Sequence, residues 1–461
     1  MTTHTLFPTS GTTKGFTAAS MAMVIDDPQK VLGQSPVQWN TPIATRLPAQ
    51  FVLSDEHATT VTTVEDALSH RTGLPILPNL QLAEALRDPA LGIADLIRLL
   101  RHVPLASDPA HRRFEYSNES YQVISYLLHR LTGERLGDLL RKDIWRPLSM
   151  SSTFFSVDSV RYSLRYSSQL AQGYTWHERS QQYIAEDYGY CAATSGAGAI
   201  VSSASDYAKW LHCLLFERMP LSLAVHRAIK FPRISVGRGA GFDHFLTPEQ
   251  PYHSYTIGWF LDSYRGVPLY WHAGSQLGAA VIVGFLPSIK FGFTIMANTQ
   301  SVQYAQMVLC GFLLDQRLDV PDPGHMMIQI VAKSLTEVGQ EAPNHCAHVQ
   351  HRSAPSLPLD KYAGTYEHPG CGRITLVVHN GVLMSDLRDR ICRTVIQLLH
   401  LSGEYFIAEQ LTLGGRWANF DSPLVEFEVR ARGTREAYGD PIAHLCGGKD
   451  LVCPDDGRGT L

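Results

Sequence analysis

The chain has 461 residues, enough for one large domain and a smaller one. It is 44% hydrophobic and 18% charged, the balance of a globular protein with a sizeable core. A net charge of −4 gives no electrostatic reason for nucleic acid or an anionic membrane as partner, so a small-molecule substrate is expected. The eight cysteines are scattered without a C-x-x-C pair, which argues against a disulfide framework or zinc site. The start lacks the apolar stretch of a signal peptide, and no apolar run approaches the ~20 residues of a membrane span. The expectation is a cytoplasmic, reduced protein without cofactor or metal. Its oligomeric state is not legible.

Near the start, Ser10-Gly11-Thr12-Thr13-Lys14-Gly15 leads into a helix expected over Lys14–Asp27 and stopped by Pro28. Apolar residues occupy most sides of that helix, which marks it as buried. A lysine opening a buried helix is either functional or snorkels to the surface. After loops comes Val61-Thr62-Thr63-Val64, where Thr62 or Thr63 caps a short helix closed by Gly73. Amphipathic helices are expected over 82–101, Tyr121–Leu131 and 135–147, with Tyr116-Ser117-Asn118 just before the second. Residues 150–195 carry no clear period. Small residues from Ser195 to Ser202 turn into a helix at Asp206–Leu215.

From Tyr255 the pattern turns to strands: Thr256–Leu261, Val267–His272, Ala279–Phe285 and Phe291–Ala297, spaced as in an antiparallel meander and closed by a helix over 303–317. Residues 319–356 read as a linker with one amphipathic helix. Short strands then follow: Gly364–Tyr366, Arg373–His379, Val382–Met384, Val395–Leu401, Tyr405–Ala408 and Val425–Val429. They suggest a small β-barrel or sandwich ending in a disordered tail. His345, Cys346, His348 and His351 have metal-ligand chemistry, but no second cluster completes a site.

Three stretches in order, with Lys14, Tyr116-Ser117-Asn118 and His272-Ala273-Gly274, resemble the S-x-x-K, Y-x-N and H-x-G motifs of the serine β-lactamase and penicillin-binding-protein family, in particular its class C and esterase branch. Leu68-Ser69-His70-Arg71-Thr72-Gly73, Pro147-Leu148-Ser149-Met150 and Gly284-Phe285-Leu286-Pro287 support the match. The resemblance implies an α+β, transpeptidase-like fold: an antiparallel sheet flanked by helices plus an all-helical lobe. It assigns 1–318 to a catalytic domain, 319–356 to a linker and 357–461 to a lipocalin-like β-domain. It further implies a serine hydrolase or acyltransferase that forms an acyl-enzyme with a small ester, thioester or amide. Ser10 is the candidate nucleophile, Lys14 its base and Tyr116 the proton relay. Gly11, Asn118, His272, Gly274 and Ser275 are the candidate substrate and oxyanion residues.

The sequence departs from the family pattern twice. The family serine lies three residues before the lysine, where this chain has Gly11, and Ser10 sits one residue earlier. One residue is about 100° around a helix, so Ser10 enters the site only if the turn rearranges, which glycine allows. Exchanging Ser10-Gly11 for Gly-Ser is expected to restore the family order. The family's usual N-terminal helix and first strands are also unaccounted for ahead of Lys14, which implies a truncated start or a sheet with an unpaired edge. The competing functional class is a pseudoenzyme that keeps the cleft as a binding module.

Overall fold

In the computed structural model the described residues are 1–33, 35–75, 93–106, 113–177, 180–188, 195–237, 253–341, 353–368, 372–388, 395–412, 415–416 and 424–427. The helices are α1 (Thr13–Asp26), α2 (Glu56–Val61), α3 (Val64–Leu68), α4 (Ile93–Leu99), α5 (Asn118–Thr132), α6 (Leu136–Leu140), α7 (Val157–Arg161), α8 (Ser195–Gly198), α9 (Ala204–Phe216), α10 (Leu223–Lys230), α11 (Gln303–Arg317) and α12 (His325–Glu341). The His345–His351 cluster and the C-terminal tail lie outside the described residues. Among the described residues, none group as a metal site and no helix is long and apolar enough to cross a membrane.

α1 buries nearly every residue from Thr13 to Ala22, as its all-round apolar sequence requires. Phe16 stacks on Trp210 of α9 and meets Trp145 edge-on, so the helix is gripped from two sides. Against it packs α5, begun by the Ser117 N-cap and ended by Gly133 in the left-handed conformation. The short α3 starts with a capping box between Thr63 and Asp66.

The central sheet has six antiparallel strands in the order β10 (Phe291–Ala297), β9 (Ala279–Leu286), β8 (Val267–Gln276), β7 (Phe260–Tyr264), β6 (His253–Tyr255), β5 (Ile234–Val236). Two of these, β5 and β6, were not anticipated, because three-residue strands are too short to show a period. The strand expected at Thr256–Leu261 begins only at Phe260: Gly258 adopts φ +75° and turns the chain there, where a Cβ would stand 2.7 Å from the Lys14 carbonyl oxygen. Pairing of β7 with β8 stops at Phe260–Trp271, while β8 continues to Gln276, paired on its β9 side. This overhang from His272 onward leaves a strand edge for another element to occupy.

The N-terminal strand β1 (Leu6–Pro8) pairs with β4 (Val201–Ser203) rather than joining the central sheet. In the region without a clear period, β2 (Gly173–His177) and β3 (Gln182–Glu186) form a hairpin. Within the expected linker, α12 packs on α11, where Met327 fills the space beside Gly311. A C-terminal sheet follows, β11 (Gly364–His368), β12 (Gly372–His379), β13 (Val382–Asp386), β14 (Val395–Ser402), β15 (Tyr405–Thr412) and β16 (Gly415–Arg416), with β17 (Leu424–Glu426) also on β15. The expected barrel closure is absent among the described residues: β11 and β16 are the two ends of an open ladder.

Candidate active site

A single 3-10 turn, Ser10–Thr12, joins β1 to α1 and lies in the edge left by the β8 overhang. Thr9 anchors it on one side, donating from N and Oγ1 to the Ile200 carbonyl at 2.8 and 3.0 Å. On the other side β8 approaches without clearance. A Cβ at Gly274 would stand 2.2 Å from the Thr9 carbonyl oxygen, and one at Gly11 would stand 2.6 Å from the Ala273 carbonyl oxygen. Glycine at both positions therefore follows from backbone-to-backbone contact. Gly274→Ala is expected to cost about 1–3 kcal/mol or more through overpacking, read as a lowered melting temperature together with lost activity.

Lys14 lies in the first turn of α1 and is fully buried. Its Nζ donates to Asn118 Oδ1 at 2.8 Å and to the Ala197 carbonyl at 3.2 Å, and lies 4.8 Å from the centre of the Tyr116 ring. Burial brings its pKa from 10.5 down to about 7, outweighing the opposing charge of Glu119. The amine is thus part neutral near neutrality, as a general base must be.

Asn118 and Tyr116 are placed by the start of α5. Ser117 N donates to His70 Nδ1 at 3.0 Å, and the Tyr116 ring packs at a tilt against the His70 imidazole with centres 4.4 Å apart. His70, from the Leu68–Gly73 stretch, is fully buried and held neutral chiefly by desolvation. Accepting at Nδ1, it carries its proton on Nε2. Burial, with Tyr121 and Glu119 nearby, raises the Tyr116 phenol well above its ordinary value, so it is protonated and can donate.

His272 opens the overhang of β8. Its Nδ1 donates to the Ala273 carbonyl at 2.7 Å, and burial with the Lys14 charge lowers its pKa to about 3. A neutral imidazole thus stands where a K-T-G motif would place a cation, and its Nε2 is an acceptor. Ser10 has φ +45°, a left-handed conformation that a non-glycine residue adopts at a cost. Its hydroxyl donates to the Ser275 carbonyl at 3.0 Å, whereas Lys14 Nζ is hydrogen-bonded to Asn118 and Ala197. The Ala273 and Ser275 carbonyls both face the 3-10 turn. In a strand a residue's N–H shares the edge of its own carbonyl, so the Ser275 N–H faces the same turn.

The structure therefore assembles Lys14, Tyr116, Asn118, Gly11, His272, Gly274 and Ser275 around one turn, and sets Ser10 beside Ser275 rather than against Lys14. Sequence reasoning missed Glu119. Its acidic side chain falls just ahead of the helix expected at Tyr121–Leu131 and reads as an ordinary exposed residue, yet it is 3% exposed, and its depth depends on packing that no local pattern shows.

A fold with this order of motifs defines a β-lactamase-like hydrolase scaffold. Residues 1–307 match the Beta-lactamase family model, and the chain belongs to that family. Residues 350–442 match a domain of unknown function, DUF3471. Over 450 residues the chain is 34% identical to an unguisins hydrolase of Aspergillus campestris, covering 95% of this chain and 80% of that protein. Among solved structures, the octameric penicillin-binding protein homologue from Pyrococcus abyssi superposes with a TM-score of 0.55 at 18% identity, over 93% of this chain and 86% of that one. A D-stereospecific amidohydrolase from Streptomyces sp. gives a TM-score of 0.52 at 17% identity, over 64% and 83% of the two chains. At these identities the two structures attest the fold alone.

Proposed function

We propose that the protein is a serine hydrolase or acyltransferase that cleaves a small, neutral ester, thioester or amide through an acyl-enzyme on Ser10. The observation that carries this reading is Lys14: buried, part neutral near pH 7, and hydrogen-bonded to Asn118 beside a protonated Tyr116. Neutral Lys14 takes the Ser10 proton as Oγ, released from the Ser275 carbonyl, attacks the substrate carbonyl. The Ser275 N–H holds the oxyanion, worth about 3 kcal/mol for such a donor. Tyr116 gives its proton to the leaving group and regains one from Lys14. Water or an acceptor alcohol or amine then releases the acyl group by the reverse sequence. The neutral His272 offers no fixed charge to anchor a substrate carboxylate, which favours uncharged acyl groups. The name of the Aspergillus campestris relative makes unguisins the first substrates to try.

A fluorophosphonate probe with p-nitrophenyl acetate and unguisins as substrates tests this reading. Labelling and turnover are expected in the wild type and lost in Ser10→Ala; labelling that survives Ser10→Ala removes the nucleophile assignment. A folded wild type with neither labelling nor turnover would favour the second reading, a binding module. Two observations support that alternative: the Ser10 hydroxyl is engaged by Ser275, and Gly11 has no room for the family serine.

The pH profile is a separate prediction. Lys14 acts as the deprotonated amine, so kcat/KM should rise with pH through about 7 and fall about tenfold per unit below it. A profile flat from pH 5 to 8 would remove Lys14 as base.

A further inference from the structure

Glu119 follows Asn118 in the first turn of α5, and its carboxyl is held in place. The Ser117 hydroxyl donates to Oε2 at 3.2 Å, and the backbone N–H groups of Asn118 and Glu119 also serve it. Asn118, one residue earlier, takes the hydrogen bond from Lys14 Nζ, and among the described residues no carboxylate comes within ion-pair distance of that amine. The groups facing Lys14 come from every packed element: Tyr116 and Tyr121 at α5, His70 after α3, and His272 on β8, with the Tyr255 ring of β6 packed at a tilt against His70. Burial keeps both histidines neutral and the three tyrosines protonated. Glu119 is then the one group of opposite charge facing Lys14 that titrates near neutrality, among the described residues.

We propose that Glu119 is a positioning residue: its buried carboxyl, fixed at the start of α5 one residue after the Asn118 that holds Lys14 Nζ, raises the pH at which Lys14 becomes a base. The proposal rests on the reading of Lys14 as the base. A contact ion pair would hold the lysine as ammonium, and an apolar residue at 119 would let it lose its proton well below neutral pH. A carboxylate in range but out of contact gives the intermediate result. Burial also raises Glu119 to about 7, so the two groups titrate together. At the shared protonation level one proton moves between ammonium with carboxylate and amine with carboxyl, and only the second arrangement contains the base.

The experiment follows the 13Cε signal of Lys14, assigned by its loss in Lys14→Met, through a pH titration of wild type, Glu119→Gln and Glu119→Asp. Glu119→Gln keeps the hydrogen-bonding shape at the helix start and is expected to lower the Lys14 midpoint by about one pH unit or more. The acid limb of kcat/KM should move by the same amount, and Glu119→Asp should return both toward wild type. An unmoved midpoint in folded Glu119→Gln overturns the proposal. The wild type supplies a second measurement that needs no variant: the Glu119 carboxyl 13C and Lys14 13Cε signals should share their transitions, and independent transitions also overturn it. Because the titration needs no turnover, an inactive enzyme would defeat the catalytic reading without deciding this one.

Discussion

Lys14→Met is expected to reduce turnover by about 10³-fold while raising the melting temperature at neutral pH. The first effect is the loss of the general base. The second follows from linkage. The folded pKa of Lys14, about 7, lies below its unfolded value of 10.5. Between those values the unfolded chain holds a proton that the folded chain has lost, so stability rises with pH across that window. Below about pH 7 both states hold the proton, and the cost of burying the ammonium is present in full. At 1.36 kcal/mol per unit that cost is on the order of 5 kcal/mol. Methionine has similar length and carries no charge, so it removes the cost. It also leaves the Asn118 and Ala197 oxygens without their donor, which returns part of the gain. A net rise of roughly 2–5 °C is expected. Differential scanning calorimetry at pH 6, 7.5 and 9.5 checks it, because the advantage of Lys14→Met should shrink as the pH climbs. A variant that is inactive and also less stable at pH 6 would mean that burial does not strain Lys14, and the argument for a neutral amine would fail with it.

The parts of this site legible in the sequence were those written in local chemistry. The apolar surround of Lys14 marks a buried helix, and the apolar period over 121–131 marks most of α5, which the structure starts three residues earlier behind the Ser117 cap. The overlooked parts are produced by long-range packing. β6 is formed by pairing with β7 and β5 by pairing with β6, and the turn at Gly258 is dictated by the approach of the α1 backbone. Glu119 and Ser10 show the same limit. One is an acid whose burial depends on α1 and α5 meeting; the other is a serine whose hydroxyl is oriented by a carbonyl 265 residues away in the chain. Motif order named residues that the fold gathers around the 3-10 turn, but which hydroxyl fits there depends on the gap between that turn and β8.

That gap decides the second large effect. Gly11→Ser, alone or with Ser10→Gly, is expected to yield no gain in activity and a loss of stability of about 1–3 kcal/mol, despite restoring the family's order of residues. The new Cβ would stand 2.6 Å from the Ala273 carbonyl oxygen and 3.2 Å from His272 Cε1. Ala273 cannot retreat freely, because it is paired to Ile282 within a ladder running from Tyr270 to Gln276. The turn cannot retreat either, since Thr9 is tied to Ile200 by two hydrogen bonds and Thr13 Oγ1 accepts a third from Ile200 N. Ser10→Gly by itself separates the terms. Glycine relaxes the left-handed backbone at position 10, so this variant should be slightly more stable and, without its hydroxyl, inactive toward the fluorophosphonate probe. Melting temperatures and probe labelling of the two single variants and the double variant test the set. A gain of tenfold or more in Gly11→Ser would show that β8 yields to a side chain at position 11, and that the site is a displaced family serine rather than one rebuilt around Ser10.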